Sequence, residues 1–517
     1  MNPKKHLLEQ IERINDESTA GHVSVIVQME TEDNLSQILE TAMATIQRRR
    51  VTISTHDLLP PTAATMGKVS NKKPTAALRR KLALADQSLT SSLASGFHSA
   101  VAIKRLGSQG ERALVPLLRS KFAELTTQRL AKRTKGRAIS ESAQVPHFWT
   151  SSSAVLELTR DELRELPEAV PQVSEIFLNR PVHVPPVVNI KTLPASVAQM
   201  ETHASTWGLQ KTGALAAWGA FGNRGKGVKV AVLDTGIDGD HPDLQGKIAG
   251  FAEFDDRGQQ VPTTAAYDSG THGTHVAGTV VGGNAGGHWI GMAPDAKVLG
   301  GLVLKNGSGT DAQILAGMQW AMEQGADVIN MSLGGMRISS DVMDTYTRAI
   351  INAVRLGIPV VVAIGNDGHQ TSGAPGNDYF AFGVGATDAA DRPGGFSGGR
   401  TQVILQSRYI ARQYLPLVYG KPDVSAPGVA VYSCVPGGGY ASWNGTSMAS
   451  PHVAGAIALL LSATSIHSVD HSQRAFLVQD LLTATVEELG ESGQDHRYGF
   501  GRIDVLRAIG HAKELGY

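Results

Sequence analysis

The 517-residue chain carries a single cysteine, Cys434, which excludes an internal disulfide and any cysteine-built zinc cluster, so stability must come from packing or bound ions. No run of 18 apolar residues is present to span a bilayer, and the opening MNPKKHLLEQIERINDES lacks the apolar stretch of a secretory signal. A cytoplasmic location is the expectation, with non-classical export as the alternative. Aromatic residues are scarce at 5%, and no sign of charge is in excess, since 47 Lys and Arg balance 47 Asp and Glu. What is abundant is glycine: 57 residues, about 11% of the chain against about 7% in average usage, which points to many tight turns and close backbone approaches. With 42% hydrophobic residues the chain can bury a full core, and its length suits two or three domains.

The zero net charge hides an asymmetry. Residues 1–200 hold 26 basic and 19 acidic side chains, leaving 21 and 28 for the remainder. Within 41–140 there are 19 basic residues to 4 acidic ones, which reads first as a solvated helical surface. No RNA-binding aromatic motif interleaves these charges, so nucleic acid is not an expected partner.

Residues 20–58 and 150–183 read as two halves of one small α+β unit, each giving strand, helix, strand. The strands are HVSVIVQM (22–29), VTIST (51–55), SAVLEL (153–158) and VSEIFL (173–178). Leu35, Ile38, Leu39, Ala42, Met43 and Ile46 follow the spacing of an amphipathic helix. Thr159-Arg160-Asp161-Glu162 is a capping box that opens a second helix carrying Leu163 and Leu166. The order βαββαβ is ferredoxin-like. A basic, helical insertion is expected at 59–149, with helices near 74–96 and 109–133, and residues 1–19 form an N-terminal extension. The proline-rich RPVHVPPVVNIKTLPAS disfavours helix and should run extended, making 186–202 a linker.

From Gly227 onward apolar runs alternate with helical patterns, the signature of a parallel sheet with helices on both faces. Function then belongs at the carboxyl ends of the strands. Asp234 closes the run Val230-Ala231-Val232-Leu233, and His272 opens a helix within THGTHVAGT. Ser447 sits in Asn444-Gly445-Thr446-Ser447 where another apolar helix begins. Singly, these are a turn residue, half of a His-x-x-His metal pair and an N-cap. No Glu or Cys follows His272 at ligand spacing. Together, an acid, an imidazole and a hydroxyl at glycine-flanked element ends, in the order Asp…His…Ser, match one known order of the hydrolytic triad. A serine hydroxyl is a poor nucleophile until an imidazole takes its proton, and the imidazole needs a carboxylate to fix its tautomer and stabilise its cation. Asn366, ending IPVVVAIGN, supplies an amide N–H for the oxyanion of the tetrahedral intermediate, beside the backbone N–H of Ser447.

The segments VAVLDTGIDGDHPDL (230–244), HGTHVAGT (272–279), INMSLGG (329–335), AIGNDG (363–368) and NGTSMASPHVAGA (444–456) resemble the subtilisin-like serine proteases over about residues 203–511. The resemblance implies a serine endopeptidase with Asp234, His272 and Ser447 as triad and Asn366 as oxyanion donor, acting on polypeptides without an organic cofactor. It implies that Ser332, Leu333, Gly334 and Gly335 present a strand edge to an extended peptide. By the same resemblance, Ala363, Ile364 and Gly365 should form the facing wall and Gly373 the floor of a pocket expected to take large apolar or aromatic side chains, with Asp367 tolerating a cation. Asp243 matches a carboxylate that binds Ca²⁺ in the family, although the loop GGNAGGHW (282–289) departs from the usual calcium-binding pattern. The βαββαβ unit resembles the inhibitory propeptide of these zymogens, giving domains 20–185 and 203–517 with processing in the linker between. A second departure, RTQVILQSRYIARQYLPLVYG (400–420), brings Tyr409, Tyr414 and Tyr419 either to a specificity surface or to packing. The alternative function is a catalytically silent fold that binds protein or nucleic acid.

Overall fold

A computed structural model describes residues 3–18, 21–29, 146–169, 173–194, 204–262, 265–336, 344–407, 409–410 and 412–517. The expected strand at 51–55, the helix over 35–46 and nearly all of the basic insertion lie outside these residues.

Eight strands form the central sheet, in the order Val424–Pro427, Phe382–Thr387, Val360–Ala363, Val328–Met331, Lys229–Asp234, Lys297–Leu302, Ile248–Phe254 and Gln260–Val261. All neighbours are parallel except the last pair, an antiparallel edge. The inner strands are nearly continuous runs of buried apolar residues, Val230 to Leu233 and Val360 to Val362 among them, as a sheet covered on both faces requires. The chain is an α/β protein with a parallel sheet flanked by helices, as its alternating pattern predicts.

The helix Thr446–Ala463 is 18 residues long, and 89% of it is buried. Among the described residues it is the one helix long and apolar enough to cross a membrane. In this fold it is the core helix: Val453, Ile457, Leu459, Leu460 and Leu461 are enclosed on all sides. At about 1.5–3 kcal/mol for each large apolar side chain removed from water, this helix supplies much of the driving force for collapse. The helix His272–Val281 packs close beside it and against the strand Val431–Val435, where Gly278 leaves no room for a methyl group: a Cβ there would lie 2.4 Å from Cys434 Sγ and from Ser433 Oγ.

The small N-terminal sheet has the order His147–Phe148, Ser153–Thr159, His22–Met29, Val173–Leu178. The last three are antiparallel with His22–Met29 in the middle, the neighbours a ferredoxin-like order gives to those strands. The capping box forms: Glu162 N donates to Thr159 Oγ1 at 3.2 Å and Thr159 N to Glu162 Oε2 at 2.8 Å. It opens the helix Arg160–Ala169, whose Leu163 and Leu166 are buried. The stretch taken as an N-terminal extension is a helix, Pro3–Glu17, which buries Leu7, Ile11 and Ile14.

This small unit is docked on two helices of the larger one. Trp149 N donates to Gln319 Oε1 at 2.9 Å and Trp149 Nε1 to Glu323 Oε1 at 3.0 Å, both on the helix Asp311–Glu323. Asn352 Nδ2, on the helix Thr347–Arg355, donates to Thr150 O at 2.6 Å. The 400–420 insertion is a hairpin of Arg400–Ile404 with Leu417–Lys421. Two of its three tyrosines pack: Tyr409 donates to the buried Glu175 of the small sheet, and Tyr419 Oη to Asn377 O at 3.1 Å, while Tyr414 is half-buried.

Candidate active site

Asp234 is the last residue of a central strand, so its side chain emerges where the sheet gives way to loops. It is fully buried, and its Oδ1 accepts from Thr235 N at 2.7 Å and from His272 Nδ1 at 2.8 Å. His272 begins the helix His272–Val281, on the connection from the edge strand Gln260–Val261 to Lys297–Leu302. Two glycines permit the approach. Gly236 turns at φ +109°, and a Cβ on Gly273 would sit 2.0 Å from Gly236 O.

A residue that sequence reasoning missed, Asp268, ties the two segments together. Its Oδ1 accepts from Thr235 Oγ1 at 2.7 Å and Gly270 N at 2.9 Å, and its Oδ2 from Thr274 N at 2.8 Å. Burial pushes its carboxyl above the usual carboxylate range, and these donors oppose the shift. The only sequence signal is a helix start four residues on, where an acid is favoured anyway.

With Nδ1 on Asp234, the imidazole of His272 presents Nε2 with no hydrogen-bond partner among the described residues. His275, the other half of His-x-x-His, is a core histidine: its Nε2 lies 3.1 Å from both Val431 O and Ala441 O, and its ring stacks on Trp443. Burial lowers its pKa to about 3, so it stays neutral. The two histidines face different partners, so the pair is not a metal half-site.

Ser447 is the second residue of the core helix, at the end that carries the positive pole of the macrodipole. Its hydroxyl donates to Ser332 O at 3.3 Å rather than to His272. Asn366 is fixed by its own carbonyl: Oδ1 accepts from Thr446 N at 2.9 Å and Thr446 Oγ1 at 2.8 Å. Its amide is thereby aimed outward, and Nδ2 donates to Pro186 O at 3.0 Å.

Pro186 belongs to the extended segment, which threads the site. Pro181–His183 pairs antiparallel with Ser308–Thr310, Val184 N donates to Gly307 O at 3.0 Å, and Val188–Asn189 pairs with Trp443–Asn444. The strand at 308–310 is a second feature missed; its signal is Gly307-Ser308-Gly309 after the strand Lys297–Leu302. Between these anchors His183, Val184, Pro185 and Pro186 line a cleft of about 180 Å³ whose other walls include Gly334, Gly335, Met336, Ala363, Gly365, Asn366, Asp367 and Gly373. Of the eight residues expected to contact substrate, Gly334, Gly335, Ala363, Gly365 and Gly373 face this cleft. Ser332, Leu333 and Ile364 do not: all are buried beneath it, Ser332 bonding through Oγ to Ser447 O at 3.0 Å and Ser450 Oγ at 2.8 Å.

The residues around Asp243 do not fit a calcium ion. Both carboxylate oxygens already have donors, Ala285 N on Oδ1 and Tyr440 Oη on Oδ2, each at 2.7 Å. A cation is already installed as well: Lys247 reaches the same loop, donating to Val281 O, with Nζ 3.6 Å from where a Gly283 Cβ would be. Burial lowers the Lys247 pKa to about 8, while the charge of Asp243 holds it up. Each oxygen of Asp243 keeps one lone pair, but a single carboxylate beside an ammonium group, with no cluster of three acidic or histidine side chains among the described residues, does not make the oxygen-rich cage that Ca²⁺ demands.

Comparison with known proteins places the chain in a family. The subtilase family matches residues 225–501, just over half of the chain. Subtilisin from Bacillus pumilus is 38% identical over 294 residues, 56% of this chain and 92% of that protein. Subtilisin DY from Bacillus licheniformis is 39% identical over 294 residues, 93% of its length. The major intracellular serine protease of Bacillus subtilis (strain 168) is 39% identical over 254 residues, 47% of this chain and 71% of that protein. The chain belongs to the subtilase family. It is a serine endopeptidase, a hydrolase of peptide bonds.

Proposed function

We propose that the protein is made as a zymogen whose triad is Asp234, His272 and Ser447, with Asn366 donating to the oxyanion. Ser447 Oγ leaves Ser332 O, passes its proton to His272 Nε2 and attacks the substrate carbonyl carbon. Asp234 holds Nδ1–H and stabilises the imidazolium. The negative oxygen is met by Asn366 Nδ2 and the N-terminal end of the core helix. Collapse of this intermediate breaks the C–N bond, His272 gives its proton to the leaving amine, and an acyl-enzyme remains on Ser447. Water, deprotonated by the same nitrogen, releases the acid.

The small sheet unit, with the segment that follows it, is the inhibitor. The observation that carries this is the Pro186 carbonyl on Asn366 Nδ2, where a substrate's carbonyl belongs. The bond so presented is Pro186–Val187. Asp256 O and Asp311 draw the same strap onto the enzyme: Asn179 Nδ2 donates to Asp256 O at 3.3 Å and Arg180 N to Asp311 Oδ2 at 3.3 Å. Domain limits follow, with the inhibitor ending near 185 and the catalytic part beginning near 203. The partly glycine-walled cleft suits apolar or aromatic side chains.

The test is to incubate the full-length protein with casein and a serine-directed fluorophosphonate. Fragments of casein and a label on Ser447 that increases as the leader is lost are expected. Absent labelling of Ser447, before and after trimming of the leader, overturns the assignment and leaves a binding module.

A further inference from the structure

Beyond Pro186 the extended segment stays on the protein. Val188–Asn189 continues the sheet edge formed by Gly439–Asn444, and Ile190 N donates to Ser442 O at 2.8 Å. Ile190 and Leu193, both half-buried, then pack on a separate small apolar cluster of Trp207, Ala389 and Ala430, flanked by Val429. Trp207 and Ala430 are fully enclosed there, and Trp207 Nε1 lies 3.4 Å from Ala430 O, which fixes the indole as the floor.

We infer that this shelf is a substrate subsite for an apolar side chain four residues beyond the cut bond. The inference rests on the reading that the segment lies in the cleft as a substrate would. Counted from Pro186, whose carbonyl is on Asn366, Ile190 is the fourth residue. The register between is set by backbone pairing rather than by side chains: Val188 and Asn189 face Asn444 and Trp443, and the next N–H meets Ser442. Any polypeptide that adds to this edge brings its fourth residue to the same place. An apolar residue there covers Trp207 and Ala430, whereas a polar one leaves them partly wet or loses its own hydration.

The chain's own segment is the resident competitor. Residues 187–193 remain attached to the catalytic part after Pro186–Val187 is cut, so they return to the shelf at high local concentration. A substrate with an apolar fourth residue displaces them best.

The test uses the full-length protein after it has processed itself, with peptides identical except for Ile or Ser at the fourth position past the cleaved bond. A reference peptide ends two residues past that bond. We expect kcat/KM to be about fivefold higher for Ile than for Ser, the gain of burying roughly half of an isoleucine side chain. In Val429→Asp, which sets a charge beside the shelf, this ratio falls to about one. Cleavage of the reference peptide with equal rates for Ile and Ser in the parent protein overturns the subsite and leaves the protease reading standing. Failure to cleave the reference peptide overturns the protease reading, and the subsite with it.

Discussion

The carbonyl oxygen of Pro186 accepts a hydrogen bond from Asn366 Nδ2 at 3.0 Å, across 180 positions of sequence. Asn366 is aimed by Thr446, whose N–H and hydroxyl both hold its Oδ1 and which is itself the neighbour of Ser447. The donor and the candidate nucleophile are therefore held in one rigid frame, and the segment at 181–189 is read by that frame.

Asn366→Leu keeps the side chain's size and removes its donor. The expected result is a fall of about 10²–10³ in kcat with KM little changed, the range found for a donor of this kind in a subtilisin. Steady-state kinetics on a peptide substrate checks this; an equal rise in KM with kcat intact contradicts the oxyanion role.

Ser447→Ala should leave an intact 517-residue chain. Processing is assigned to the enzyme's own site, and without the hydroxyl no acyl-enzyme forms. Mass spectrometry and amino-terminal sequencing of the purified variant decide the matter. A leader lost at the parent's rate, in isolated protein, speaks against self-cleavage.

Lys247 sets a pH dependence of stability. Its folded-state pKa of about 8 lies below the ordinary 10.5, so between these values the folded protein has released a proton that the unfolded chain still binds. Stability from this group therefore rises as pH increases from 8 towards 10.5, as the cost of an enclosed charge is relieved. Tyr440, whose pKa burial and Asp243 raise, acts in the opposite direction above about pH 10. Denaturant midpoints of the parent and Lys247→Met, compared at pH 8 and pH 10, should shift in the parent's favour at the higher pH. A constant difference between them argues against a depressed lysine.

Gly278→Ala tests the contact between the His272 helix and the strand behind it. The added methyl meets Cys434 Sγ and Ser433 Oγ at 2.4 Å, and both belong to a buried strand with little freedom to move. Overpacking of this kind costs about 1–3 kcal/mol. Urea denaturation should register that loss; an unchanged midpoint means the strand yields freely.

Much of this molecule is legible locally. The capping box at Thr159 and Glu162 closes within three residues, so its residue types suffice to place a helix start. The alternation of Lys229–Asp234 with later strands and helices gives a covered parallel sheet, because only such a sheet buries continuous apolar runs on both faces. The types and order of Asp234, His272 and Ser447, each within two residues of a glycine, are the pattern from which a serine hydrolase is expected. Sequence therefore determined the fold class and the class of reaction.

Tertiary structure decided how these parts are coupled. Asp268 earns its place only because two loops meet over it, and Tyr409 finds Glu175 across 234 positions. The lysine beside Asp243 is separated from it by three residues, yet only the fold turns Nζ towards the loop at 281–285 and gives Tyr440 to the carboxylate. Likewise, proline content makes 181–194 extended, but not a strand laid against Ser308–Thr310 and Trp443–Asn444. The physical reason is common to all of these. Local pattern fixes backbone conformation, whereas hydrogen-bond partners and counter-ions are chosen by packing between distant segments, which no spacing in the chain records.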